Sequence, residues 1–96
     1  MNIFTIIIPI FNESECIFKL INEINEEFKN KLPEIIIVDD GSTDKFKSEW
    51  KKRGDKKIKV FSHRINLGKC KAMETGVKKS SNNLVCIMDG DGQNPP

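Results

Sequence analysis

Apolar positions along the chain fall into two alternating patterns. Residues 3–10, Ile-Phe-Thr-Ile-Ile-Ile-Pro-Ile, form a short, nearly unbroken apolar run closed by proline, the pattern of a strand buried on both faces. From about residue 13 to 30 the spacing changes. Ile17, Leu20, Ile21, Ile24 and Phe28 recur at helical intervals with charged residues between them, and Asn12 followed by Glu15 reads as a capping box. Pro33 ends the connection, and Glu34-Ile-Ile-Ile-Val-Asp39 is a second, β-branched strand with nothing polar inside it. Asp44 can cap a short helix reaching about Arg53, with Phe46 and Trp50 facing inward, before Gly54-Asp55 breaks it. Residues 58–61 read as a third strand, 63–68 as a loop, 69–79 as a third helix and 84–88 as a fourth strand.

The order βαβαβαβ implies an α/β fold: a Rossmann-like, doubly wound parallel sheet with helices on both faces, whose ligands bind beyond the carboxyl ends of the strands. Composition agrees. A chain of 96 residues with 38% hydrophobic and 31% charged content describes one soluble globular domain or less. Sixteen basic against 14 acidic side chains leave +2, too weak a field to argue for nucleic acid as a partner. The lysine-rich stretch 45–59 reads as a solvated helix face and loop. No apolar run approaches the length of a membrane span, and the first residues carry neither a basic leader region nor a cleavage site. Cys16, Cys70 and Cys86 are odd in number and lack metal-ligand spacing, so they are expected to pack as small apolar groups in a reduced, cytoplasmic setting.

Polar residues interrupt the apolar strands at three carboxyl ends: Asn12 and Glu13 after the first, Asp39 and Asp40 after the second, Asp89 and Asp91 after the fourth. In a parallel sheet these ends share one rim. A carboxylate buried there without a partner would cost several kcal/mol, so each must face solvent, a donor or a cation. In Asp89-Gly90-Asp91 extended geometry would send both carboxylates to one side with no side chain between them, an arrangement that can share a hard divalent cation with a diphosphate. An ordinary polar turn is the competing reading of that short motif. Helix capping accounts for Asp44, and Glu13 suits a first helical turn. His63 reads as a loop residue and Lys69 as a surface lysine.

Taken together, Ile8-Pro9-Ile10-Phe11-Asn12-Glu13, Ile37-Val38-Asp39-Asp40-Gly41-Ser42-Thr43-Asp44, Asn66-Leu67-Gly68-Lys69 leading to Gly76, and Met88-Asp89-Gly90-Asp91-Gly92-Gln93-Asn94-Pro95-Pro96 resemble the family 2 glycosyltransferases of the GT-A fold. The closest resemblance is to their dolichyl- or polyprenyl-phosphate mannosyl- and glucosyltransferase branch. It implies that Pro9, Phe11 and Glu13 line a nucleotide pocket with Val38, and that Asp40, with Asp39 beside it, meets the base or ribose. It further implies that Asp89, Gly90 and Asp91 form the DxD element at the sugar diphosphate, and that Asp89, Asp91 and Gln93 are ligands of Mg²⁺ or Mn²⁺. Phe11 stands where tyrosine is usual, which keeps stacking and removes a hydroxyl. Gly90 and Gly92 replace the commoner alanine and leucine.

The implied reaction is inverting, metal-dependent transfer of a hexose from a GDP- or UDP-hexose to a polyprenyl (dolichyl) phosphate, with another lipid-phosphate or a glycan acceptor as the variants. The full-length protein would work in the cytoplasm or peripherally at the cytoplasmic membrane face. On this reading residues 1–96 are the donor-binding part, the acceptor half lies beyond Pro96, and the part alone is inactive. An alternative is a non-catalytic nucleotide- or metal-binding module acting with a partner chain. A phospho-acceptor receiver domain also pairs two acidic residues at a strand end, but after its first strand and not its second.

Overall fold

The computed structural model describes residues 4–28, 33–53 and 58–88. Its elements are β1 (Thr5–Ile10), α1 (Ser14–Glu27), β2 (Glu34–Asp39), α2 (Phe46–Arg53), β3 (Ile58–Ser62), α3 (Lys69–Lys79) and β4 (Val85–Ile87). The expected alternation is therefore present. All strand pairs are parallel, in the order β3-β2-β1-β4.

Period-two alternation sorts the side chains of the central strands into two cores. Ile6, Ile8 and Ile10 of β1 and Ile35 and Ile37 of β2 face α1 and α2, where they meet Ile17, Leu20, Ile21, Ile24 and Phe46. Ile7, Ile36 and Val38 face the other way, onto Ala72 of α3. Every residue of β1 and β2 is buried, as strands covered on both faces must be. A fully buried isoleucine contributes roughly 1.5–3 kcal/mol, so these two strands carry much of the stability. Phe46 and Trp50 do face inward, and both pack with Phe18 in an aromatic cluster. Helix α3 approaches β1 through Gly76, where an added Cβ would lie 2.4 Å from Ile7 Cγ2.

Two local expectations are corrected. Asn12 does not cap α1; Glu13 takes the N-cap position without a side-chain hydrogen bond, and the Ser14 N–H donates to Asp44 Oδ2 at 3.1 Å. Asp44 also accepts from the Phe46 N–H at 3.1 Å, so one carboxylate caps both α1 and α2. The sequence predicted only the second of these caps, because the first crosses 30 residues. All three cysteines are exposed. Cys16 lies off the Ile17–Leu20–Ile21–Ile24 stripe of α1, Cys70 lies off the Ala72–Gly76 face of α3, and Cys86 sits on β4 at the sheet edge. Cys86 borders an apolar groove of about 830 Å³ that runs between α1 and β4 past Phe4, Leu20 and Phe28. Glu34, the first residue of β2, anchors a buried polar network.

At the amino-terminal end of the sheet the Glu34 carboxylate accepts from Thr5 Oγ1 at 2.7 Å, the Ser81 N–H at 2.8 Å, Ser81 Oγ at 2.9 Å and Lys59 Nζ at 2.8 Å. Thr5 Oγ1 in turn accepts from Ser80 Oγ and Asn82 Nδ2. Burial by itself would raise the Glu34 pKa. The Lys59 ammonium, the Ser81 N–H and the two hydroxyls outweigh it and lower the carboxyl from 4.5 to about 2. A depressed folded-state pKa stabilises above the unfolded value, and that stabilisation is lost as pH falls from 4.5 towards about 2. The contribution at neutral pH is on the order of 3 kcal/mol. In urea titrations the stability gap between wild type and Glu34→Gln should therefore be widest near neutrality and should shrink steadily as pH is lowered through that window. A gap of constant size would contradict this account.

Candidate functional site

In the order β3-β2-β1-β4, the connection from β1 to β2 runs over one face through α1, and the connection from β3 to β4 runs over the other through α3. The sheet changes winding direction between β1 and β4, and the crevice outside the carboxyl ends at such a switch point is where these folds take ligands. On β1 the Thr5 N–H donates to the Leu84 carbonyl at 3.0 Å, and the Ile7 carbonyl accepts from the Met88 N–H at 3.0 Å, so the odd residues bond towards β4. The next is Pro9, which has no N–H to give. Among the described residues the β1–β4 ladder runs as far as Met88, one residue before Asp89. Residues 89–96, with Asp89, Gly90, Asp91 and Gln93, lie outside the described residues.

The other rim residues are described. Ile10 pairs with Asp39, and the Asp40 N–H donates to the Ile10 carbonyl at 2.8 Å, so the loops leaving β1 and β2 start side by side. Asn12, at φ 54, turns its side chain onto the second loop. Asn12 Oδ1 accepts from the N–H groups of Thr43 at 2.7 Å and Asp44 at 3.2 Å, while the Asn12 N–H donates to Ser42 Oγ at 2.9 Å. Glu13 Oε1 accepts from the Phe11 N–H at 3.0 Å, which folds the loop back and leaves the Phe11 ring 43% exposed on the rim. Pro9 and Val38 face each other across the β1–β2 ladder and are buried; Val38 belongs to the α3-side core, so the strand end, not its side chain, is what it can offer a ligand.

Asp39 and Asp40 are adjacent in sequence but serve opposite faces. Asp39 follows Ile35 and Ile37 in the alternation, towards the loop that leads to α2. It is 0% exposed; Oδ1 accepts from the Ser42 N–H at 2.9 Å, and Oδ2 has no partner among the described residues. Asp40 turns to the α3 side. Its Oδ1 accepts from His63 Nδ1–H at 2.7 Å and the Leu67 N–H at 2.9 Å, and its Oδ2 accepts from the Gly68 N–H at 2.9 Å. Asn66 Nδ2 donates to the Asp40 carbonyl at 3.2 Å. Burial would raise the Asp40 pKa, but His63 and the two backbone donors outweigh it and hold the carboxyl below its ordinary value. On this strand end Asp39 Oδ2 is thus a buried acceptor without a partner among the described residues, whereas both oxygens of Asp40, which the resemblance sets at the base or ribose, accept from the chain's own donors.

His63 is the residue that sequence reasoning passed over. It is largely buried, and its Nε2 lies 2.8 Å from Thr75 Oγ1, so the imidazole bridges the end of β2 to the middle of α3. Its place follows from the register: β2 and β3 pair Asp39 with Ser62, so the next residues on the two strands, Asp40 and His63, emerge side by side, which no local sequence pattern shows. Lys69 opens α3 beside this loop.

This architecture defines a doubly wound α/β class, with its switch point between β1 and β4 and acidic residues along the rim. The family model described as "Glycosyl transferase family 2" matches residues 5–96, and the chain belongs to that family. Dodecaprenyl-phosphate galacturonate synthase of Rhizobium johnstonii is 31% identical over 96% of this chain and 29% of its own length. Dolichol-phosphate mannosyltransferase of Pyrococcus furiosus is 31% identical over 96% of this chain and 26% of its own. The chain thus spans less than a third of either relative. Among solved structures, a mannosyltransferase from Pyrobaculum calidifontis in complex with GDP-Man and Mn²⁺ superposes with a TM-score of 0.76 at 26% identity, over 92% of this chain and 27% of that one. The fold is that of the GT-A glycosyltransferases, as the motifs implied.

Gly41 is where the site's backbone is tightest. It sits at φ +80, and an added Cβ would lie 2.5 Å from the Asn66 nitrogen and the Ile65 carbonyl carbon, both backbone atoms. Gly41→Ala should therefore cost at least about 2 kcal/mol, from left-handed strain and from forcing the two loops apart. Chemical denaturation measures it, and a loss below about 0.5 kcal/mol would show that the loops are not pressed together as described.

Proposed function

We propose that this chain is the donor-binding part of a glycosyltransferase that moves a hexose from a GDP- or UDP-hexose to a polyprenyl phosphate, with inversion at the anomeric carbon and with a divalent metal ion. The observation that carries the reading is Asp39: a fully buried carboxylate at the rim of a switch-point crevice, with one oxygen fixed by Ser42 and the other without a partner among the described residues. Burying such an acceptor unpaired is costly, and a nucleobase N–H or a ribose hydroxyl would satisfy it. The membership of family 2 and the likeness to enzymes named for dodecaprenyl- and dolichol-phosphate support the acceptor class.

In this proposal the exposed Phe11 ring offers a stacking surface at the mouth of the crevice, and Pro9, Glu13 and Val38 shape the strand ends around it. Asp39 takes the nucleoside, and Asp40 supports the wall behind it through His63 and the 66–68 amides. Asp89, Asp91 and Gln93, with Gly90 leaving room between the carboxylates, would hold Mg²⁺ or Mn²⁺. That cation supplies charge neutralisation for the leaving diphosphate when it is bound. A phosphate acceptor is already anionic near neutral pH, so positioning it matters more than deprotonating it. The proposed setting is the cytoplasmic face of a membrane. Peripheral association of the full-length protein belongs to the same proposal; among the described residues no helix is long and apolar enough to cross a membrane.

Calorimetric titration of the full-length protein with GDP- and UDP-hexoses, with and without Mn²⁺, tests this. One base should bind in a metal-dependent manner. Asp39→Asn should weaken that binding about tenfold or more, the loss of a hydrogen bond to a charged acceptor, and replacing Asp89 and Asp91 by alanine should abolish the Mn²⁺ dependence. Failure of both nucleotides to bind, or unchanged binding by Asp39→Asn, would sink the reading. Binding without hexose transfer would assign a binding module in place of an enzyme.

A further inference from the structure

His63 lies in no motif of the site, yet it bonds to both acidic residues at the end of β2. Its backbone N–H donates to the Asp39 carbonyl at 2.8 Å, its Nδ1–H to Asp40 Oδ1 at 2.7 Å, and its Nε2 meets Thr75 Oγ1 at 2.8 Å. Asp40 holds the far end of the same loop through the N–H groups of Leu67 and Gly68 and the Asn66 amide. The middle of that loop, the Ile65–Asn66 backbone, presses on Gly41, two residues beyond Asp39. One carboxylate and one imidazole thus fix a loop of six residues, 63–68, against the strand end that carries the unpartnered Asp39 Oδ2.

We propose that His63 is a positioning residue for nucleotide binding: it acts through Asp40 to hold the 63–68 loop against Gly41, and so keeps the Asp39 strand end in its binding geometry. This rests on the nucleotide-binding reading above. The chemistry suits the task. An ionised carboxylate only accepts, so Nδ1 carries the proton, and Thr75 offers a hydroxyl that can donate to Nε2 or accept from it. The ring is therefore satisfied at both nitrogens in either charge state and spans β2 to α3 as a fixed strut. A largely buried, doubly bonded side chain of two rotatable bonds loses little entropy in such a role.

Replacement by asparagine places an amide nitrogen near the position of Nδ1, keeping the Asp40 contact and dropping Thr75. Glutamine instead reaches towards the Nε2 position. Nucleotide affinity of the full-length protein is measured by calorimetry with the GDP- or UDP-hexose that wild type binds, beside the melting temperature. His63→Ala should weaken nucleotide binding about tenfold, and His63→Asn should restore most of the affinity. Glu34→Gln is the control, since it loosens the opposite end of the same strands and should lower the melting temperature with affinity unchanged. If His63→Ala does not fold, near-wild-type binding by His63→Asn with weakened binding by His63→Gln supports the proposal. Wild-type affinity in His63→Ala, no recovery in His63→Asn, or affinity losses that merely follow the melting temperatures in all variants would overturn it. Should wild type bind neither nucleotide, the functional reading fails and this role with it; binding by wild type that is indifferent to His63 removes this role alone.

Discussion

β1 and β2 are covered by α1 and α2 on one face and by α3 on the other, so neither strand has an interior position for a polar side chain. Every group that must stay hydrated, paired or reactive is displaced to a strand end. That constraint divides the molecule's chemistry between two rims. It also makes the sheet, and not the loops, responsible for aiming the site: what leaves β1 and β2 does so in a register set by six consecutive parallel pairs.

The two rims are built on different terms. At the amino-terminal ends Glu34 is buried and its carboxylate is met by four donors, so the charge is spent on stability. At the carboxyl ends Asp40 is used in much the same way, holding the β3–α3 loop, whereas Asp39 keeps one buried oxygen without a partner among the described residues. The difference between these neighbours comes from the pleat, which sends consecutive side chains to opposite faces. An acidic pair that looks like one functional unit thus divides into Asp39, with one oxygen unpartnered among the described residues, and Asp40, a brace to which His63 and Gly41 belong.

Much of this was legible in the chain. Unbroken β-branched runs identified β1 and β2, helical spacing identified α1, and the alternation of the two implied the parallel sheet, because burial alone decides those features. Four motifs in order carried the family, which the match over residues 5–96 bears out. Contacts between distant segments were not legible. Asp44 capping α1 from 30 residues away, Asn12 closing on Thr43, and His63 reaching Thr75 depend on which strands lie side by side, and no local pattern encodes that. The cysteines were misjudged for a related reason. Composition favours burial of cysteine on average, whereas position on an outward helix face or an edge strand decides it in each case. The Asp89–Gln93 segment follows β4 at the switch point, and its residues lie outside those described.

The claim on which the functional account turns is that the nucleoside of the donor completes the hydrogen bonding of Asp39. A crystal structure of the full-length protein with Mn²⁺ and the nucleoside diphosphate it binds would test this most directly. The account predicts a base N–H or ribose hydroxyl within about 3 Å of Asp39 Oδ2, with Asp40 still closed onto His63, Leu67 and Gly68. A nucleotide bound elsewhere on the rim, with Asp39 Oδ2 satisfied by the protein's own chain, would contradict it.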